Sequence, residues 1–145
     1  RIEMGHVAGS ELDGRTIPYD NSLEGLISKK KDFIGKRSLQ KEAYIAPDRE
    51  KIVGVVPIDK KTSIPEGSYI VKDPNAKLPN PKLGHVSASC WSVEYNNPFS
   101  LAIIKDGKNM IGQKLFALSP LKNKSIPVEI VSSHYVDPKG ERVRS

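Results

Sequence analysis

The sequence has 145 residues, with 23 Lys and Arg against 17 Asp and Glu, a formal net charge of +6, and 37% hydrophobic residues. That length suits one domain able to bury roughly 70% of its unfolded surface, and an apolar content that includes 14 Ile excludes a disordered tail. No apolar run approaches the roughly 20 residues that a membrane-spanning helix requires, so no membrane role is expected.

The opening RIEMGHVAG has neither an initiator Met nor a signal pattern and reads as the start of a piece cut from a longer chain. Residues up to about 27 are irregular and Gly-rich. Gly5, Gly9 and Gly14 do not form a phosphate-binding pattern, and Asp13-Gly14 predicts a turn. Asp32 then suits an N-cap. A helix of two to three turns is predicted from Asp32 to Ala43, with Phe33, Ile34 and Leu39 inward and Lys36, Gln40 and Lys41 in water. Ala46-Pro47-Asp48 closes it.

From residue 51 the period changes. Short β-branched runs occupy 51–58, 67–72, 84–91, 99–105, 114–118 and 126–136, separated by turn chemistry such as IPEG, YNNP and SPLKNK. Six strands without a helix-length insert predict an antiparallel sandwich or barrel. Lys105-Asp106-Gly107-Lys108 is the clearest hairpin signal, because Asp-Gly supplies the positive φ of a type I′ turn.

The single cysteine, Cys90, excludes an internal disulfide and suggests a reducing, cytoplasmic setting. His6, His85 and His134 stand far apart, so no metal site is expected. Positive charge is concentrated at Lys29–Lys41 and again at Lys105–Lys124. This suits a solvated face or an anionic ligand or partner; the low aromatic content, 6%, and the predominance of Lys over Arg argue against nucleic acid. His85, Ser87 and Ser89 share one face of a strand in GHVSASC, but the sequence lacks a nucleophile elbow, and a packed strand is the better reading. Trp91, Tyr95 and Tyr135 could stack on a planar ligand, although strand packing accounts for them as well.

The combination of motifs is more specific. RIEMGH, GSELDGRTIP and SKKKDFIGKRSL resemble the end of the folate-binding domain in the glycine cleavage T-protein (aminomethyltransferase) family, and GHVSASCWSVEYNNPFSLAII is similar to that family's C-terminal barrel signature. Within the family, SKKKDFIGKRSL and DPKGER look most like the branch of heterotetrameric sarcosine oxidase alpha subunits, ahead of T-protein itself and of dimethylglycine dehydrogenase-like enzymes. Val93, Cys90 and YNNP depart from the barrel signature.

The resemblance implies a mainly β chain: residues 1–45 as a strand/helix remnant of the folate-binding domain, and residues 46–145 as a small antiparallel β-barrel of the aminomethyltransferase C-terminal type. It implies tetrahydrofolate as cofactor of the intact subunit, with FAD, FMN and NAD carried elsewhere in the complex. The implied partners are the remainder of the alpha subunit and the beta, gamma and delta subunits, with no nucleic acid and no membrane. The implied activity is flavin-dependent oxidation of sarcosine, whose imine yields 5,10-methylenetetrahydrofolate and glycine, the fragment alone being inactive. The family's catalytic aspartate is expected outside this sequence, so no catalytic residue is assigned. Arg1 and Glu3 match the family's LRxE motif, and Tyr135 lies in the terminal segment that approaches the folate pocket; these three are the candidate cofactor-binding residues. A basic β-barrel that docks an acidic protein or nucleic acid is the alternative of another class, and a stand-alone hydrolase is a third.

Overall fold

The structure, a computed structural model, describes residues 1–76, 79 and 81–144. Six strands form: β1 (Glu50–Pro57), β2 (Tyr69–Val71), β3 (Lys82–Ser92), β4 (Asn97–Lys105), β5 (Lys114–Ser119) and β6 (Lys124–Val131). They close into an antiparallel barrel in the order β1-β4-β3-β2-β5-β6, with β6 returning to pair with β1. Each of the six β-branched runs thus contributes a strand. The last is shorter than expected, because the chain leaves the barrel after Val131.

Alternation directs one set of side chains inward. Val53 and Val55 of β1, Ala102 and Ile104 of β4, and Val128 and Ile130 of β6 meet in a core without charge. Along β6 the opposite face is polar or half-exposed, which is why VEIV alternates in the sequence. On β1 and β4 the opposite face is buried as well: Ile52, Val56, Phe99 and Leu101 form a second cluster with Ile2, Val7 and Tyr135. Both strands therefore read as continuous apolar runs. The cover over this second face is the amino-terminal segment.

At two places strand approach demands glycine. A Cβ on Gly84 of β3 would collide with the backbone carbonyl of Ile103 on β4, and one on Gly54 of β1 would lie 2.6 Å from the Phe99 ring and 2.8 Å from Val131.

Two expectations are corrected. Asp106 does adopt positive φ, 52°, but it leads into a 3-10 turn over Gly107–Met110 and not into a hairpin. Both edges of β4 are already occupied, by β1 and β3, so the chain must cross to the gap beside β2 before β5 can pair. The YNNP segment instead joins a true hairpin, β3 to β4, with Asn96 at φ 52°.

The continuous helix from Asp32 to Ala43 does not form. Gly35 at φ 93° interrupts it, Ser38–Gln40 makes a 3-10 turn, Lys41 is extended, and only α1 (Glu42–Ile45) is helical. The physical reason is packing: Phe33 and Ile34, expected inward, are exposed, so nothing offsets the cost of nucleating a short helix. A second single-turn helix, α2 (Glu141–Arg144), follows the barrel.

Candidate functional site

The seam between the amino-terminal segment and the outer face of β1 and β4 gathers the candidate residues. One end of it is held by Asp20. The Ile52 amide donates to the Asp20 carbonyl at 2.7 Å, bringing the segment onto the start of β1. The Asp20 carboxylate, itself buried, receives Arg49 Nε at 3.0 Å, a second Arg49 nitrogen, Lys51 Nζ at 3.3 Å and the Ile17 amide at 3.1 Å. Burial alone would raise its pKa. The Arg49, Ile17 and Lys51 hydrogen bonds overcome that and hold the carboxyl below its usual value.

At the other end the backbones of Glu3 and Tyr135 meet, while the Arg1 side chain turns to His6 and Glu11. The amides of Tyr135 and Val136 both donate to the Glu3 carbonyl at 3.0 Å, so the chain beyond β6 is hydrogen-bonded to the first residues. Gly5 supports this approach: its φ is 70°, and a Cβ there would lie 2.9 Å from the Ser133 carbonyl oxygen. Arg1 Nη1 donates to the His6 carbonyl at 2.8 Å and to Glu11 Oε2 at 3.3 Å, and the Ala8 amide donates to the same Glu11 oxygen at 2.9 Å. Arg1 thus compensates a fully buried carboxylate.

Tyr135 lies between two rings. It stacks on Phe99 at 4.6 Å with planes 9° apart, and Tyr95 meets it at 4.5 Å with a 52° tilt. The Asn97 side-chain amide donates to its hydroxyl at 3.1 Å. Tyr95, Asn97 and Phe99 all come from the β3–β4 hairpin, which also holds α2 through Arg142 and Glu94 at 2.6 Å. Tyr95 was already named beside Tyr135 as an aromatic in the sequence, whereas Asn97, Phe99 and Glu11 were not. The only signal available was their position around the NNP turn.

The polar content of this seam is one-sided. Glu3 Oε2, Glu11 Oε1 and Asn97 Oδ1 are buried and accept no hydrogen bond. Each is an acceptor, and such atoms buried without a donor carry a penalty of about 1–3 kcal/mol. The arrangement leaves these acceptors without a donor among the described residues. It is poorly suited to nucleophilic work: burial, and secondarily the Glu3 charge, push the Cys90 thiol pKa up, away from the reactive thiolate.

The GHVSASC serines are bound into the barrel. Ser87 Oγ donates to the Leu101 carbonyl at 3.2 Å, and Ser89 Oγ bonds the Ile64 carbonyl at 2.8 Å and Ser100 Oγ at 2.9 Å. These are structural hydroxyls, and among the described residues neither bonds to His85. No group of His, Cys, Asp and Glu among the described residues could hold a metal ion, and no helix is long and apolar enough to cross a membrane. A polar cavity of about 240 Å³ lies beside Arg15, Asp20, Arg49 and His85, and an apolar groove of about 440 Å³ lies within residues 18–39.

The fold matches that of part of an aminomethyltransferase. Aminomethyltransferase T of the glycine cleavage system from Bartonella henselae superposes with a TM-score of 0.74 over 94% of this chain and 37% of that one, at 19% identity. No family model matches the sequence. The chain is similar to curated relatives: sarcosine oxidase subunit alpha of Rhizobium meliloti is 37% identical over 99% of the chain, and that of Corynebacterium sp. (strain P-1) is 34% identical over 98%. The chain is therefore homologous, along nearly its whole length, to part of the sarcosine oxidase alpha subunits. It spans about 15% of the length of these relatives.

Proposed function

We propose that this chain is a C-terminal fragment of a sarcosine oxidase alpha subunit, in which residues 1–45 end the folate-binding domain and residues 46–145 form the barrel that closes beside it. The single observation that carries the reading is the alignment of 99% of the chain, at 37% identity, with part of sarcosine oxidase subunit alpha of Rhizobium meliloti. The reduced pterin of tetrahydrofolate presents N–H donors, which is the chemistry that the buried acceptors Glu3 Oε2 and Asn97 Oδ1 would receive.

Tetrahydrofolate, when bound, supplies the amine nitrogens that capture the one-carbon unit of the imine formed from sarcosine, giving 5,10-methylenetetrahydrofolate and glycine. Glu3 and Asn97 would accept from the ring, and Tyr135, its ring packed between Phe99 and Tyr95, would offer its hydroxyl proton. Arg1 keeps Glu11 compensated, so that the first turn of the chain, and Glu3 with it, stays in place. The net charge of +6 favours the anionic glutamate tail, and that part of the affinity weakens with added salt. Oxidation itself belongs to flavin elsewhere in the complex, with FAD, FMN and NAD outside this fragment and the fragment alone inactive. The beta, gamma and delta subunits and the rest of the alpha subunit are its partners, in the cytoplasm.

The test is a titration of the full-length parent subunit with tetrahydrofolate, with residues 1–145 present or deleted. Loss of binding on deletion supports the reading. Unchanged binding would leave the barrel a structural or subunit-docking module.

A further inference from the structure

The amino-terminal segment covers the outer face of β1 and β4, whereas apolar side chains on the outer face of β2, β5 and β6 are open to solvent. The register sets Tyr69 of β2 opposite Leu118 of β5, and Phe116 of β5 opposite Pro127 of β6. Their strand neighbours Ile70, Leu115, Ala117, Ile126 and Val128 fill the core, so these four point away from it. Tyr69 and Pro127 are exposed, and Phe116 and Leu118 are half-buried. Leu121 in the β5–β6 turn is fully exposed, and Ile58, whose amide donates to the Pro127 carbonyl, is 45% exposed. Exposed apolar side chains gathered in one place mark an interaction surface.

Lysine surrounds this face. Lys60, Lys61, Lys122 and Lys124 are exposed at one end, where the turn after β1 and the β5–β6 turn share a cleft lined by Asp59, Thr62, Asn123 and Lys124. Lys82 lies over the Tyr69 ring at 5.2 Å, and Lys114 stands opposite Glu129 in the register. None of these six lysines forms a salt bridge among the described residues. The Asp59 carboxylate is already committed to the Thr62 hydroxyl and to the amides of Lys61 and Thr62. Six lysines therefore stand against the two carboxylates of Asp59 and Glu129.

That imbalance selects the occupant. A second copy of this chain would set lysine against lysine, which repulsion disfavours. Lysine without arginine also disfavours nucleic acid, whose bases and phosphates are best matched by the planar guanidinium fork. Both ends of the chain lie on the other side of the barrel. Ile2 and Val7 pack on the outer face of β1 and β4, and Arg142 of α2 pairs with Glu94 of the β3–β4 hairpin. Because β4 stands across the six-stranded ring from β5, polypeptide continuing from either end would have to cross the barrel to reach this face. We propose that the outer face of β2, β5 and β6 docks a separate polypeptide, through a surface of apolar side chains ringed by Asp and Glu. The inference rests on the reading of the chain as part of a multi-subunit enzyme, and adds where and by what chemistry a partner is held.

The experiment compares lysine acylation in the full-length parent subunit alone and in the assembled complex, read by peptide mass spectrometry. The expected result is that the reactivity of Lys60, Lys122 and Lys124 falls on the order of tenfold on assembly. In the parent carrying Lys122→Glu and Lys124→Glu, the Kd for assembly rises on the order of tenfold or more, and added salt weakens assembly of the unaltered protein. These lysines make no salt bridge within the described chain, so the variant keeps the parent's thermal midpoint. Leu121→Asp, at a fully exposed side chain, weakens assembly likewise. Low reactivity already in the parent alone would overturn the proposal, giving the face to the rest of that subunit. Protection lost on nuclease treatment would overturn it in favour of nucleic acid. Reactivity unchanged by assembly would overturn it and leave the multi-subunit reading intact, whereas a parent that assembles with no other polypeptide would overturn both. No readout here uses tetrahydrofolate, so the folate titration is scored separately.

Discussion

The side-chain amide of Asn97 donates to the hydroxyl of Tyr135 at 3.1 Å, across a seam that the linear sequence separates by 38 residues. Because the hydroxyl oxygen is occupied by this donor, its own proton is directed away from Asn97. Tyr135 is thereby set as a hydrogen-bond donor, its ring stacked on Phe99 and met at a tilt by Tyr95. The hairpin that supplies these residues also pairs Glu94 with Arg142 in α2, and Asp137 accepts the amides of Glu141 and Arg142 at 2.8 and 3.1 Å. The β3–β4 hairpin is thus the clamp for the chain that follows the barrel.

Replacing Asn97 with Ala removes the donor and should destabilise the chain by about 1 kcal/mol, the net worth of such a bond. Urea denaturation reads the stability. The near-UV circular dichroism of Tyr135 should change with it, because its ring loses an orienting partner. An unaltered tyrosine signal would show that stacking alone holds the ring.

Asp20 makes the seam sensitive to acid. Its folded pKa lies below the ordinary 3.8, so its stabilising contribution is complete above that value and is lost as pH falls through the folded pKa. Unfolding monitored between pH 5 and pH 2 should show a stability drop confined to the acidic end of that range. The Asp20→Asn variant should lose about 3 kcal/mol at pH 7, since Arg49 and Lys51 are left without their carboxylate, and its acid dependence should be shallower.

Gly54 tolerates no side chain. Gly54→Ala places a Cβ against Phe99, Val131 and the Ser132 carbonyl, and overpacking of this kind costs about 1–3 kcal/mol. Thermal denaturation should show a lowered midpoint. Gly14→Ala, where nothing lies within 4 Å of the added Cβ, should leave the midpoint nearly unchanged.

Cys90 should react slowly with a thiol-specific reagent at pH 8, because burial and the Glu3 charge raise its pKa. Glu3→Gln removes the second of these and should accelerate labelling. Labelling of the parent chain at the rate of an exposed cysteine would contradict the packing seen here.

Six strands were legible in the sequence because β-branched runs, punctuated by Pro, Asn and Gly, are a local signal that each segment carries by itself. The turn-forming residues were legible for the same reason: Asp106 and Asn96 both adopt positive φ. Which strands those turns connect was not. Asp-Gly is equally at home in a hairpin and in a crossing turn, and only the closure of the barrel, with β4 taken on both edges by β1 and β3, selects the second.

The helix predicted at Asp32–Ala43 failed on the same ground. Propensity and capping are local, but a short helix forms only when its apolar face finds a surface, and here Phe33 and Ile34 find none. For the site, the residue types and the family resemblance pointed to Arg1, Glu3 and Tyr135. That Tyr135 meets Asn97, Phe99 and Tyr95 was decided by tertiary structure alone. Alternation along a strand records that a face is buried, but not what buries it. The partner comes from a segment distant in sequence, and burial of Ile2, Val7 and Tyr135 against the outer face of β1 and β4 makes that choice.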